Sequence, residues 1–461
     1  MIYDLIIYHV RSPIPTTKVL LFFDMSDHKI VGGCSTLLAK SNKKCIFRDQ
    51  GLVYIKKMLY LCSDFKSSLS SGPPSGERKK YLITIMNKDK NPSFLYGVSV
   101  GGNNFTDRVR ETRRLKLNFE NGLNVILISP RRMGKTSLVK HVAQVVDKDI
   151  VQIVYMDIYD CRSEYDFYNK FAEAIMTQTG SKIEHILENI RQFLTRISPK
   201  ISMNPDPGTE YSVSLGITPK EYSPEEILSL PERVGEHIGK HLVVCIDEFQ
   251  QVGEWPESLL VQKRMRGVWQ HHTHASYCLF GSRQHMMNQL FQNKRMPFYQ
   301  FGEPNYLQPI PSEEWIPFIQ SKFEQKGLAI SDSYVRQICE IVGNQSSYVQ
   351  QLSWNVMLNT EHIVDDEAIK AGINDLLIQC TPLFMEQTGG LTSYQLNMLR
   401  AIVDGQHTQW SSQEVLAKYN LGTKSNVSKM QKVMLERDLI ISTEQGLFLS
   451  DPVMELWFKH R

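Results

Sequence analysis

The stretch that most constrains this 461-residue chain is Val125-Ile126-Leu127-Ile128, followed at once by Ser129-Pro130-Arg131-Arg132-Met133-Gly134-Lys135-Thr136-Ser137. Four consecutive apolar residues suit a buried strand, and Leu138, Val139, Val142 and Val146 then recur on one face of a helix. The nine residues between match G-x-x-x-x-G-K-S/T, with Ser129 in place of the first glycine. A loop with this spacing aims successive backbone N–H groups inward and adds the positive end of the helix dipole, which together hold a phosphate chain. Gly134 permits close approach and Lys135 reaches the β- and γ-phosphates. Thr136 offers its hydroxyl to Mg2+, and Ser137 is placed for the α-phosphate. Pro130 biases Ser129 towards extended backbone, so the positive φ that favours glycine is not demanded there. Ser129 to Ser137 form the candidate nucleotide-binding loop.

A second element lies about a hundred residues downstream. The apolar run His241-Leu242-Val243-Val244-Cys245-Ile246 ends in Asp247-Glu248. A carboxylate at the C-terminal tip of a parallel strand stands beside such a loop. Asp247 is therefore the candidate for the Mg2+ shell, and Glu248 for orienting and deprotonating a water. The run Ser276-Tyr277-Cys278-Leu279-Phe280 ends in Gly281-Ser282-Arg283, where Ser282 is placed to sense the γ-phosphate. Arg283 and Arg295 suit either surface ion pairs or a finger reaching a neighbouring subunit. The combination calls for ATP and Mg2+.

Ile150 to Met156 reads as another strand, and Phe167, Phe171 and Ile175 mark a helix. Strands alternating with helices predict an α/β fold, a P-loop NTPase parallel sheet with helices on both faces. The alternation of Tyr211, Val213, Leu215 and Ile217 after the turn-rich 204–208 predicts a hairpin inserted near 200–217. From Leu307 the pattern is helical, an all-α lid over 307–389. Residues 390–461 then read as three helices and a two-stranded wing around Glu444-Gln445-Gly446, a C-terminal winged helix. Residues 1–85 pattern poorly and near their end run into a Ser/Gly/Pro tract at 67–76, a linker by composition. With Met86 next, they are expected to be an appendage, upstream of a natural start, beside a core at 86–306.

Charge narrows the partners. Residues 1–85 hold 13 Lys/Arg against 6 Asp/Glu, whereas the remainder holds 39 against 43. A body with a slight negative excess is no bulk polyanion binder, so any nucleic-acid contact rests on a local patch. In the winged helix Lys424, Lys429 and Lys432, with Lys418 before them, occur with Glu436 as the first acid after Glu414. They suit double-stranded DNA in a major groove; a protein partner, self-association or the ATPase core itself are the alternatives. No apolar run approaches the ~20 residues of a membrane span. The eight cysteines include no C-x-x-C pair, which suits a reducing, cytoplasmic setting. His271, His272 and His274 lack metal-ligand spacing with a carboxylate and read as a solvated helix end.

Over Phe105 to Arg461 the chain resembles the archaeal-type ATPases of the AAA superfamily, on the branch near the STAND signalling ATPases. The resemblance rests on Phe105-Thr106-Asp107-Arg108 with Glu111, on Ile128 to Leu138, on Val244-Cys245-Ile246-Asp247-Glu248-Phe249 and on Gly281-Ser282-Arg283. Pro297-Phe298-Tyr299 and Tyr348-Val349-Gln350-Gln351-Leu352 continue it. It implies an ATPase core, a small lid, a winged helix, and a segment around Phe105–Arg108 beside the adenine. Two departures stand out: Gln300-Phe301-Gly302 where many relatives carry an arginine, and Ser346 where many carry a proline. The expected activity is ATP hydrolysis driving a conformational switch read out by the winged helix. The alternatives are a DNA-binding regulator that senses ATP with little turnover, and a nucleotide-gated scaffold.

Overall fold

The computed structural model describes residues 93–179 and 223–461, together with the backbone of three strands near the N-terminus. The chain divides into two compact units, Met1–Lys90 and Asn91–Arg461. In the first, β1 (Leu5–Tyr8), β2 (Val19–Asp24) and β3 (Lys29–Ile30) pair antiparallel in that order. The Ser/Gly/Pro tract and the hairpin expected near 200–217 lie outside the described residues.

The second unit is built on a parallel sheet. Its strands are β4 (Val125–Ile128), β5 (Val151–Asp157), β6 (His241–Asp247), β7 (Ala275–Gly281) and β8 (Glu303–Tyr306), in the order β5-β6-β7-β4-β8. Side chains alternate across a strand, and here both faces are covered. Ile126, Ile128, Val244, Ile246 and Leu279 bury on one face, and Val125, Leu127, Val243, Cys245 and Phe280 on the other. That is why these strands read as unbroken apolar runs. The second face lies under α1 (Val109–Glu120) and α2 (Lys135–Val145), through Leu115, Phe119, Leu138, Val139 and Val142. The first face is covered by α3 (Glu164–Thr179), α4 (Pro224–Leu228), α5 (Leu230–Ile238), α6 (Ser258–Trp269) and α7 (Gln284–Gln292). Phe167, Phe171 and Ile175 of α3 are fully buried there, as their spacing predicts.

Strand β8, Glu303-Pro304-Asn305-Tyr306, escapes a reading based on apolar runs. It is an edge strand, bonded to β4 alone, and an edge tolerates a proline that has no N–H to donate. Glu303 N–H reaches Asn124 O at 2.8 Å and Leu307 N–H reaches Ile128 O at 3.0 Å. A further difference concerns order. Strand β7 lies between β4 and β6, so the strand ending in Asp247 is the next but one to the loop-bearing strand, not its neighbour.

Beyond the sheet come α8 (Ser312–Glu324), α9 (Asp332–Ile341), α10 (Ser346–Leu358) and α11 (Asp366–Gly389). The winged helix follows as α12 (Ser393–Val403), α13 (Gln413–Lys418), α14 (Lys424–Glu436), β9 (Ile440–Thr443), β10 (Gly446–Leu449) and a closing α15 (Pro452–Lys459). Thr392 and Gln395 form a capping box at the start of α12, and Thr423 caps α14. Gly446 opens β10 at φ 126°, where a Cβ would lie 2.3 Å from His407 O, so the wing tolerates only glycine. Helix α15 has no counterpart in the expected three helices and wing; Asp451 caps it, and Val453, Met454 and Trp457 bury. No helix among the described residues is long and apolar enough to cross a membrane.

Lid and winged helix share one apolar interior, in which Trp315, Tyr348, Phe384, Leu399 and Trp457 belong to a single cluster. Trp457 bridges the two, with its ring 5.7 Å from that of Phe384 and its Nε1 donating to Thr381 Oγ1 at 3.0 Å. Trp457→Ala is expected to cost about 3–5 kcal/mol. Urea titrations followed by protease resistance should show 307–389 and 390–461 losing structure at the same, lowered midpoint.

Candidate functional site

All five sheet strands run parallel, so the C-terminal ends of β4, β6 and β7 open on the same edge. The loop Ser129–Gly134 crosses this edge and α2 begins at Lys135. Its backbone strain falls on two residues, Arg132 at φ 68° and Gly134 at φ 84°, while Ser129 is not among the positive-φ residues. Nothing lies within 4 Å of a Cβ built on Gly134. Among the described residues, no protein group accepts a hydrogen bond from the amides of Arg131, Arg132 and Gly134. A row of unpartnered amides at a helix N-terminus is an anion cradle. The chemistry of the loop therefore fits a phosphate chain.

Lys135 braces this loop from below. Its Nζ donates to Ser129 O at 2.8 Å, to Pro130 O at 2.9 Å and to Ser129 Oγ at 3.2 Å, and the residue is only 6% exposed. The serine that replaces glycine thus supplies an extra acceptor to the ammonium. Burial pushes Lys135 down to about 8, opposed by the charges of Glu248 and Asp247. Asp247 lies on the far side of β7 yet within reach, since Thr136 Oγ1 donates to Asp247 Oδ2 at 2.6 Å. Tyr155 Oη on β5 donates to the same oxygen at 2.9 Å, and Glu248 N–H donates to Asp247 Oδ1 at 2.9 Å. Burial raises the Asp247 carboxyl above the usual aspartate range, and the Thr136 and Tyr155 hydroxyls pull it back. A hydroxyl and a carboxylate oxygen at this separation, at the loop's helix end, suit a hard cation such as Mg2+.

Glu248 sits in the left-handed region at φ 56°, just after β6. Its Oε2 accepts from Ser282 Oγ at 3.1 Å and from Gln250 Nε2. The chain passes closest at Gly281, where a Cβ would fall 1.8 Å from Gln250 Oε1. The structure thus brings together Lys135, Thr136, Asp247, Glu248 and Ser282.

Other expected residues face elsewhere. Ser137, expected at the α-phosphate, is buried and its Oγ accepts Val100 N–H at 3.0 Å. Met133 contributes its side chain to the core. Arg131 is exposed at the loop's rim. Arg132 turns its guanidinium onto the Tyr348 ring, 4.1 Å from the centroid, and lies 3.9 Å from Asp451 Oδ2. Its carbonyl accepts Ser347 N–H at 3.1 Å. Arg283 pairs with Glu254 and, at 3.4 Å, with Asp438. Arg295 is exposed in the turn after α7. His272 bonds Tyr277 Oη at 2.9 Å and is pushed down to about 4 by burial, and His274 pairs with Glu232 at 3.0 Å. Ahead of the loop, buried Arg108 donates to Met133 O at 3.1 Å and to Gln308 O at 2.5 Å. Phe105 stacks on His141 with centroids 4.2 Å apart.

Tyr155, Gln250, Asp438 and Asp451 carry no local sequence signal that marks them for this site. Tyr155 belongs to an alternating strand face and reads as core, and the two aspartates meet the site only through the fold.

Three comparisons bear on this geometry. Residues 382–460 match a family model described as a probable winged helix domain. An uncharacterized ATP-binding protein of Methanocaldococcus jannaschii is 26% identical over 165 residues, 32% of this chain. The chain spans 44% of that relative's length. Among solved structures, the Walker-type ATPase PABY2304 of Pyrococcus abyssi is similar with a TM-score of 0.57 at 17% identity. That likeness covers 77% of this chain and 96% of the other. The ORC2 protein of Aeropyrum pernix follows at TM-score 0.47 and 15% identity, covering 77% of this chain and 95% of its own.

Asp247 yields a pH prediction for protein in chelator without nucleotide. Its folded pKa is raised, so the ionised form is the disfavoured one in the native state. The penalty is absent below the ordinary aspartate range, grows as pH rises through it and is full above the raised folded value. Asp247→Asn should therefore raise the urea midpoint at pH 7, with the gain vanishing below about pH 4. The chain's fold is that of a Walker-type ATPase sheet and helical region, closed by a winged helix.

Proposed function

We propose that the chain binds ATP with Mg2+, hydrolyses it, and passes the change of nucleotide state to its winged helix. The hydrogen bond between Thr136 and Asp247, with Lys135 braced under the adjoining loop, carries this reading. It supports a site in which the loop amides and Lys135 grip the phosphates while Thr136 and Asp247 hold the cation. Mg2+, when bound, supplies charge neutralisation on the β- and γ-phosphate oxygens.

Glu248 takes the proton of the attacking water as that oxygen bonds to the γ-phosphorus and ADP leaves. Ser282 and Gln250 hold its carboxylate to one side, so the glutamate must swing from them to meet the water. The ammonium of Lys135, whose charge Glu248 and Asp247 favour against burial, must leave Ser129 and Pro130 to face the developing negative charge. The readout is supported by contacts from the loop and from Ser282's neighbour to the C-terminal domain, namely Arg132 with Asp451 and Arg283 with Asp438.

Lys135→Ala should abolish measurable ATP binding in a fluorescent-nucleotide titration. Glu248→Gln should retain binding but lower kcat by about 10²–10⁴-fold. An unchanged kcat would remove Glu248 from the mechanism.

A DNA partner is favoured by one observation: Lys424, Lys429 and Lys432 are all exposed on α14. The same helix touches α7 of the sheet unit, which favours its own ATPase core as the partner. If duplex DNA is bound, a gel shift across a salt series should weaken steeply, and replacing Lys424 and Lys429 by alanine should flatten the slope by about 1 per lost contact. Salt-independent binding would leave the core as the partner.

A further inference from the structure

Among the described residues, Asp247 offers two oxygens to three donors. Its Oδ2 accepts Thr136 Oγ1 at 2.6 Å and Tyr155 Oη at 2.9 Å, while Oδ1 accepts the Glu248 N–H at 2.9 Å. A carboxylate has about four lone-pair sites, two on each oxygen. Oδ2 is therefore filled, and one site on Oδ1 stays open. Thr136 gives its single proton to Oδ2, which leaves the lone pairs of its hydroxyl free for a cation. The rotation of the carboxylate decides which Asp247 oxygen is available to join it.

The fold fixes Tyr155 in a place from which it holds that rotation. Tyr155 lies on β5 in register with Cys245 of β6, two residues short of the pair Asp157 and Asp247. Strand β5 ends the sheet, bonded to β6 alone among the described residues. On its open side the Gln178 side chain of α3 stands in for a further strand. Tyr155 N–H donates to Gln178 Oε1 at 2.9 Å, and Gln178 Nε2 donates to Tyr155 O at 2.7 Å. Both main-chain groups of Tyr155 are thereby engaged. Its ring packs on the face under α2, 6.3 Å from the Phe280 ring, with Lys140 Nζ 5.0 Å from its centroid. A phenylalanine fills nearly the same volume; what the hydroxyl adds is the bond to Asp247.

We propose that Tyr155 is a positioning residue for the cation: its hydroxyl holds Asp247 by Oδ2, keeps Oδ1 open, and so sets how tightly the site binds Mg2+. This rests on the reading that Thr136 and Asp247 hold the cation. It gives Tyr155 no part in gripping the phosphates or in moving a proton. Loss of the hydroxyl therefore weakens the metal and spares the metal-free nucleotide. Groups that orient a metal-binding side chain typically change metal affinity by about 10–100-fold.

The test titrates Mg2+ into the full chain holding a fluorescent ADP analogue and follows the tightening of the nucleotide from chelator to saturating Mg2+. Tyr155→Phe is expected to bind the analogue in chelator as the unaltered chain does, and to need about tenfold more Mg2+ for half of the tightening. Mn2+ counted by electron spin resonance at fixed nucleotide should show the same shift, with no turnover involved. In Asp247→Asn, expected above to be the more stable chain, adding Tyr155→Phe should raise the Mg2+ requirement no further, because the tyrosine acts through that carboxylate. An unchanged Mg2+ requirement in Tyr155→Phe, or an equal loss of nucleotide in chelator, would overturn the role. The two readings fail differently. If Asp247→Asn leaves the Mg2+ requirement unchanged, the cation site itself is misassigned, and the role of Tyr155 goes with it. A shift in Asp247→Asn with none in Tyr155→Phe sinks the tyrosine alone.

Discussion

A single hydroxyl–carboxylate contact joins the two halves of the candidate site. Thr136 stands in the first turn of the helix after the loop, Asp247 ends a strand two places away, and 2.6 Å separates their oxygens. Without it, the acidic strand tip and the loop would be features of one sheet edge with no shared chemistry. The contact rests on the parallel sheet, because only parallel strands bring three C-terminal ends to one edge. It also has a cost, since it asks a carboxylate to stay in a low-dielectric interior. The hydroxyls of Thr136 and Tyr155 and the Glu248 amide offset part of that desolvation.

Much of this arrangement is legible from residue order. The apolar runs at 125–128, 241–246 and 276–280 are strands because both sheet faces are covered, and such burial leaves a continuous signature. Loop spacing and strand-end acids are equally local, so Lys135, Thr136, Asp247 and Glu248 emerge without coordinates. What stays hidden is non-local. Strand β8 is polar because it pairs on one side only, and Pro304 argues against a strand unless its edge position is known. Tyr155 looks like any aromatic on a strand face until the fold sets its hydroxyl against Asp247. Arg132 illustrates the limit most clearly. Its place in the loop points to phosphate, whereas its side chain leaves the loop for Tyr348 and Asp451.

The C-terminal region shows how a polar junction can be laid over an apolar one. Inside, lid and winged helix are joined by Phe384, Trp457 and their neighbours. Facing the sheet, the same region meets the edge that bears the loop through ion pairs and a ring–guanidinium contact. Apolar interiors hold geometry, while charged contacts respond to competing ions and to salt. The division suits a region that keeps its shape while its attachment to the sheet is adjustable.

The shared interior of lid and winged helix has a mechanical consequence. Two helical groups fused through one hydrophobic cluster share a single core and cannot part without exposing it. The short covalent passage from β8 into α8, Leu307 to Pro311, is stiffened by Pro309 and Pro311. Arg108 grips that passage at the Gln308 carbonyl and the loop at the Met133 carbonyl with one guanidinium. One guanidinium thereby ties the loop to the passage that leads into the helical region.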